Sequence, residues 1–199
     1  QFIKICGRIR SPAAIPALLS HLSHSPVTLR TPLLWALHRC KFSASEQPHH
    51  DLIHQLIDEE ITFAAQLCTA AVEMAEIATA PLGSLLKAAL FEAVEGARNR
   101  LFHLLSFLHD SSTMMRARRD LLKHASSQQN AYALEVLDIH LKPPLKQAVW
   151  PLLEVKSLEQ RVTALAKVKP MPPQSNQDHL LGLITASHSL VSPWLRVCA

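Results

Sequence analysis

Apolar residues recur every three or four positions along most of this 199-residue chain, and nowhere do they alternate regularly with polar residues. A repeat near 3.6 places apolar side chains on one face of an α-helix, whereas strands need a repeat of two. Thirteen prolines and only four glycines interrupt the pattern, without any Asn-Gly or Asp-Gly hairpin signal. The sequence therefore predicts an all-α fold of about a dozen helices.

Capping residues and prolines set the expected boundaries of these helices. The residues expected to cap helices are Ser11 (before Pro12), Ser111 or Ser112, and Ser127 or Asn130. The segment 169–177 (KPMPPQSNQ) contains three prolines and no apolar repeat, so we expect a linker or long loop there. This predicts a helical array over 1–168 and further repeat helices over 178–199, cut at the C-terminus. We expect the chain to be a piece of a longer protein, since it lacks an initiating Met and ends within a helical pattern.

Composition narrows the class of protein. The net charge of +4 and the pI near 9.0 are only mildly basic, which does not favour a dedicated nucleic-acid binder. Four widely spaced cysteines without a CxxC pair indicate reduced, buried thiols: Cys6, Cys40, Cys68 and Cys198. No apolar run reaches the roughly 20 residues that cross a bilayer. We expect no signal peptide, because the first residues lack a basic region followed by an apolar run and a cleavage site. We therefore expect these residues to lie in the cytoplasm.

The stretch GRIRSPAAIPALLSHLSHSPVTLRTPLLWAL (7–37) encodes two short amphipathic helices that cannot bury both apolar stripes alone. It resembles the HEAT repeat, particularly the short form in bilin-lyase-like proteins, with Gly7, Ile15, Pro16 and Arg30 at repeat-defining positions. The resemblance implies an α-solenoid. In that family an Asp in the turn often pairs with the Arg; the corresponding residue here is His24, so we expect no Asp–Arg ladder.

Two later stretches, FEAVEGARNRLFHLLSFLHD (91–110) and NAYALEVLDIHLKPPLKQAVWPLLE (130–154), resemble a narrower group. They are similar to the cytosolic HEAT region of bacterial major-facilitator or ATP/ADP-antiporter-like transporters, which often carry a cyclic-nucleotide-binding domain as well. Asn130, Glu135 and Asp138 hold repeat-defining positions in this match. The resemblance implies a non-catalytic interaction and coupling domain on the cytosolic face of the inner membrane. Its partners would be protein domains, of the same membrane-embedded chain or of another.

Two pairs of residues invite a chemical interpretation. His50 and His54 are four residues apart and could bind zinc from one helix face, given a third ligand. They lie near the stripe of Ile57 and Ile61, which favours a helix–helix contact over a metal site. Glu135 and Asp138 alternate with leucines in a repeat helix, which favours an ion pair with a neighbouring repeat or a turn cap over acid–base catalysis.

No phosphate-binding glycine loop, nucleophile elbow or zinc-protease motif occurs. The sequence therefore predicts neither catalytic residues nor a cofactor, and we expect the chain not to be an enzyme. The run RARRDLLKH (116–124) predicts an interaction surface for an acidic protein face or anionic lipid, formed by Arg116, Arg118, Arg119 and Lys123.

Two alternative functions stay open. Similar repeats occur in bilin-lyase accessory proteins, and a purified chain that neither binds nor transfers a bilin would exclude that function. The basic pI allows a HEAT-like nucleic-acid module, for which binding to duplex DNA should fall steeply with salt. The run 116–124 has no interleaved aromatic residues, so nucleic acid is not the favoured partner.

Overall fold

The computed structural model describes residues 1–23, 25–73, 81–122, 126–154, 156–172, 175–185 and 191–198. Across these ranges the chain contains eleven α-helices, one short 3-10 helix and no strand. The predicted all-α class is confirmed. None of the helices in these ranges has both the length and the apolarity needed to cross a membrane.

The helices follow one another with short connections. Their bounds are α1 Phe2–Ile9, α2 Ile15–Leu22, α3 Val27–Arg39, α4 His49–Glu73, α5 Pro81–Leu108, α6 Ser111–Leu122, α7 Ser127–His140, α8 Leu145–Leu153, α9 Leu158–Val168, α10 Asn176–Thr185 and α11 Pro193–Cys198. The 3-10 helix Pro12–Ala14 leads into α2. Ser11 precedes it as predicted, although the Ser11 side chain makes no capping hydrogen bond.

Two predicted helix caps are corrected by the structure. At α6 the Thr113 N–H donates to Asp110 Oδ2 at 2.7 Å, so the carboxylate of Asp110 caps the helix, not Ser111 or Ser112. At α7 Ser126 forms a capping box with Gln129: the Gln129 N–H donates to Ser126 Oγ at 3.3 Å, and the Ser126 N–H donates to Gln129 Oε1 at 3.1 Å. The caps predicted at Ser127 or Asn130 therefore lie within the helix.

The chain divides into two compact units: unit 1 comprises Gln1–Glu59 and Asn99–His140, and unit 2 comprises Glu60–Arg98 and Leu141–Ala199. In unit 1, α1 and α2 both pack on α3, and α6 packs on α7; in unit 2, α8 packs on α9 and α10 on α11. Consecutive helices that pack together are the building element of helical repeats. A solenoid stack of these pairs and the division into 1–168, 169–177 and 178–199 stay predictions.

Helix α1 approaches α3 closely at Gly7. A Cβ atom on Gly7 would lie 2.3 Å from Cζ3 and 2.8 Å from Cε3 of Trp35. Glycine is therefore the residue that fits the contact; the role of Gly7 as a repeat-defining residue stays a prediction. Arg30 of α3 is buried and its Nη2 lies 3.1 Å from Glu59 Oε2 of α4. His24, the residue in place of the family's Asp, lies outside the described residues.

The apolar stripe predicted for the long helix α4 is confirmed where the structure describes it. Its buried members are Ile53, Ile57, Ile61, Ala64, Cys68 and Ala71. Ala75, the last predicted member, lies outside the described residues. The stripe ends in unit 2, where Cys68 lies beside a cluster of buried charges.

Candidate functional site

The predicted arginine surface on α6 separates into two faces. Arg116 and Arg119 are exposed and lie within about 60° of each other around the helix, whereas Arg118 lies about 160° from Arg116. Arg118 is half-buried, and its Nε donates to Asn99 Oδ1 of α5 at 2.5 Å. Burial lowers the pKa of Arg118. Of the four predicted residues, Arg116 and Arg119 share an exposed face of α6; Lys123 lies outside the described residues, and its part in the surface stays a prediction.

A groove of about 290 Å³ runs between α6 and α7 next to Arg116. Tyr132 and Val136 of α7 line the opposite wall. Tyr132 and Ile139 are 59% and 71% exposed, and with Val136 they form an apolar stripe along α7. Large apolar side chains that remain this exposed beside an arginine are typical of protein-binding surfaces.

The histidine pair His50–His54 is present, with ring centroids 4.5 Å apart. Burial is the main cause that lowers the pKa of His54, and His50 lowers it further. His50 Nδ1 lies 3.8 Å from Asp51 Oδ1, but within the described ranges no group of three or more metal-ligating residues occurs here or elsewhere. Zinc needs at least three protein ligands, so these two residues do not make a zinc site by themselves.

The acidic pair of α7 lies on the surface of that helix. Glu135 and Asp138 are both exposed, and Asn130 near the start of the helix is half-buried. Their roles as repeat-defining residues and as partners of a neighbouring repeat stay predictions.

A buried charge cluster in unit 2 was not predicted. Arg98 is 5% exposed, and its Nη1 donates to both carboxylate oxygens of Glu95 at 2.9 and 2.7 Å. Arg98 Nε donates to the Leu152 carbonyl at 2.7 Å, and Arg161 Nη2 donates to the Glu154 carbonyl at 3.4 Å. Both arginines thereby satisfy carbonyl groups at the C-terminus of α8, the negative end of its dipole.

Burial is the main cause of the pKa shifts of Arg161 and of the neighbouring Cys68. Arg161 is 4% exposed, and burial, followed by the nearby Arg98, lowers its pKa. Burial raises the pKa of the neighbouring Cys68 thiol to about 11, against the opposite effect of the arginines. Since the hydrogen bonds of Arg98 and Arg161 described above join residues of unit 2 and hold the end of α8, we interpret the cluster as structural.

A second unpredicted feature is a basic cleft in unit 1, of about 640 Å³. Two separate chain segments contribute its cationic residues: Arg10 follows α1, and Arg39 and Lys41 lie at the end of α3 and just beyond it. His38 and His109 also line it. The described lining residues include none that is acidic. One feature of the sequence could have indicated this cleft. Arg10 and Lys41 lie just after helix ends, at positions where glycine is the usual residue.

Burial lowers the pKa of both histidines that line the cleft, and a contact with Ser111 orients the ring of His38. His38 Nδ1 lies 3.2 Å from Ser111 Oγ, which fixes its ring at the start of α6. Burial, followed by Arg118 and Arg39, lowers the pKa of His38. Burial, followed by His140 and His54, lowers the pKa of His109. Both rings are therefore neutral near pH 7, and the fixed positive charge of the cleft comes from its arginines and lysine.

No protein-family model, no curated protein and no solved structure matches this chain. The HEAT resemblance therefore rests on its motif residues. The structure places Gly7 and Arg30 in the core of unit 1, and Ile15 and Pro16 at the start of α2.

Proposed function

We propose that this chain is a non-catalytic, HEAT-like interaction domain that docks another protein domain in the groove between α6 and α7. The observation that carries the proposal is the exposed stripe of Tyr132, Val136 and Ile139 beside Arg116. Tyrosine and arginine contribute strongly to binding energy at protein interfaces, because they combine large contact areas with directed hydrogen bonds. Arg116 and Arg119 favour a partner segment that carries acidic residues next to apolar ones.

The exposed face of α1 supports the repeat architecture in this proposal. Phe2, Ile5 and Ile9 share one face of α1 and are 68%, 50% and 68% exposed, while Cys6 and Gly7 are buried and α1 packs on α3. An apolar face of this kind at the edge of a helix pair is what a stacked neighbouring repeat would cover. In the favoured setting the array belongs to the cytosolic part of a membrane transporter and couples it to another domain.

The coding sequence of the parent protein tests the transporter setting. We expect several apolar segments of about 20 residues elsewhere in the same reading frame. A parent reading frame without such segments would exclude the transporter attachment and leave the docking function to be judged on its own.

Binding measurements test the docking function. The remaining domains of the parent protein, expressed separately, should bind this chain in calorimetry, and Tyr132→Ser or Ile139→Ser should weaken binding about tenfold. Both residues are exposed, so the variants should keep the helical circular dichroism of the wild type. Val197→Ser is the matched control, since Val197 is 79% exposed on α11 in unit 2. Equal affinities for all three variants and the wild type would contradict the proposed groove.

A further inference from the structure

The cations of the cleft in unit 1 lack acidic partners. Within the described part of the chain, Arg10, Arg39 and Lys41 take part in none of the ion pairs. The carboxylate of Asp110, which lies between the lining residues His109 and Ser111, is not itself in the lining and accepts hydrogen bonds from Thr113 and Ser112 at the start of α6. The cleft therefore concentrates positive charge that no described side chain neutralises.

Two of the three cations occupy backbone positions that favour glycine. Arg10 and Lys41 both have φ of 59°, and among the described residues they are the only non-glycine residues with positive φ. Lys41 closes α3 in a Schellman motif: its N–H donates to the His38 carbonyl, and the Phe42 N–H donates to the Leu37 carbonyl, both at 3.1 Å. Stability alone favours glycine at these sites, so the cations are placed there against the conformational preference of the backbone.

Two buried nitrogen atoms of lining residues have no hydrogen-bond partner among the described residues: Arg39 Nε and His109 Nε2. The Nε–H of Arg39 is a donor, and a phosphate oxygen in the cleft would be an acceptor for it. The Arg39 guanidinium also lies 5.8 Å from the centre of the Trp35 ring, and this contact restricts the conformations of the Arg39 side chain.

We propose that this cleft binds a small phosphate ester, with Arg10, Arg39 and Lys41 around its phosphate groups. Arginine binds phosphate oxygens through paired N–H donors, and lysine adds a point charge. The volume of about 640 Å³ is typical of sites for small organic ligands and exceeds the need of a bare phosphate ion. Phe42 and Met115, which also line the cleft, provide an apolar wall for the organic part.

The ligand site is distinct from the docking groove. Ser112 is the one residue that lines both among the described residues. Phosphate-ester binding is therefore expected whether or not the groove between α6 and α7 holds a protein partner.

Calorimetric titration of the intact chain with three probes tests the proposal: inorganic pyrophosphate, ADP and inositol bisphosphate. We expect saturable binding of ADP or inositol bisphosphate that is tighter than that of pyrophosphate. A preference for ADP assigns the site to a nucleotide, and a preference for inositol bisphosphate assigns it to a lipid headgroup. No saturable binding of any probe, or binding of pyrophosphate alone, would overturn the proposal.

Three variants separate the ligand contact from folding. Lys41→Gly removes the cation and suits the left-handed backbone, so it should fold and bind the preferred probe about tenfold more weakly. Lys41→Arg keeps the charge and should bind within about threefold of the wild type. Lys4→Gln, which removes an exposed cation of α1 outside the cleft, should bind like the wild type. If Lys41→Gly and Lys4→Gln bind equally well, the cleft is not the site.

Discussion

The buried charge cluster of unit 2 and the basic cleft of unit 1 use arginines in opposite ways. In unit 2, Arg98 shares Glu95 with Arg161 and donates to the carbonyl groups that end α8. In unit 1, Arg10 and Arg39 face a cleft without an acidic partner in the described residues. A buried charge that is held by a carboxylate and by carbonyl groups contributes to structure, whereas a cation without an acidic partner, placed at a backbone cost, points to a ligand.

The largest effect expected from this difference is that of Arg98→Met. Loss of the guanidinium leaves the Leu152 carbonyl without its donor and leaves Glu95 with Arg161 as its ion-pair partner, at 3.6 Å. Breaking a buried pair from one side should lower the free energy of unfolding by about 3–5 kcal/mol. Urea unfolding followed by circular dichroism measures it.

Arg39→Met is the control, because it makes the same chemical change in unit 1. Arg39 makes no ion pair in the described ranges, so this variant should lose less than about 1 kcal/mol. Equal losses in the two variants would remove the contrast between the units.

Acid should act on unit 1 through His103. Burial, followed by Arg118 and His38, lowers the pKa of His103 from 6.5 to about 3. The unfolded chain binds a proton at this residue below pH 6.5 while the folded chain does not, so stability falls as the pH drops from 6.5 towards 3. At pH 5 the loss from this residue is about 2 kcal/mol relative to pH 7.

Unfolding at pH 7 and pH 5 in His103→Gln checks this expectation. In this variant the difference in the free energy of unfolding between pH 7 and pH 5 should be much smaller than in the wild type. His21→Gln on the exposed face of α2 should keep it. A wild-type pH dependence that persists in His103→Gln would assign acid sensitivity to other groups.

Removing a cation from the cleft should raise the free energy of unfolding, whereas Arg98→Met should lower it. Lys41→Gly relieves the left-handed backbone at φ 59° and should raise the free energy of unfolding by about 1 kcal/mol. Thermal melting and urea titration measure the gain. Lys41→Ala tests the cause: alanine keeps a Cβ, so it should not stabilise to the same extent. The backbone explanation fails if alanine stabilises as much as glycine.

The smallest effect concerns thiol reactivity in unit 2. A nearby cation usually lowers a thiol pKa, yet burial raises that of Cys68 to about 11 beside Arg161 and Arg98. Cys6 and Cys40 are also buried, whereas Cys198 is half-exposed. A colorimetric disulfide reagent at pH 8 should therefore react rapidly with one thiol per native chain. Cys198→Ser should abolish that phase, and a fast phase that survives would contradict the assigned burial.

The helices could be predicted because a repeat of 3.6 is a local property of the sequence. The buried stripe of α4, from Ile53 to Ala71, follows from that period alone. The same rule could have separated Arg118 from Arg116, since the two lie about 160° apart on α6. The caps at Asp110 and Ser126 were missed because several neighbouring residues can cap and only geometry selects among them.

The charged sites could not be predicted, because they join segments that are distant along the chain. Glu95 and Arg98 are one turn apart on α5 and suggest an ordinary surface pair, yet Arg161 and the end of α8 bury them. The cleft forms only where α1, α3 and α6 meet. The positive φ of Lys41 could not be predicted either, because lysine usually avoids that conformation. Long-range packing, not local pattern, creates both sites.

The contact of Gly7 with Trp35 has a consequence for how the gene can vary. Every missense change at codon 7 adds a Cβ atom, and that atom meets the Trp35 ring at 2.3 Å whatever side chain follows. Codon 182 also encodes glycine, but among the described residues no atom outside the adjoining helix backbone lies within 4 Å of the corresponding position. In a library of all single substitutions, selection for folded protein should remove the missense variants at codon 7 and retain those at codon 182.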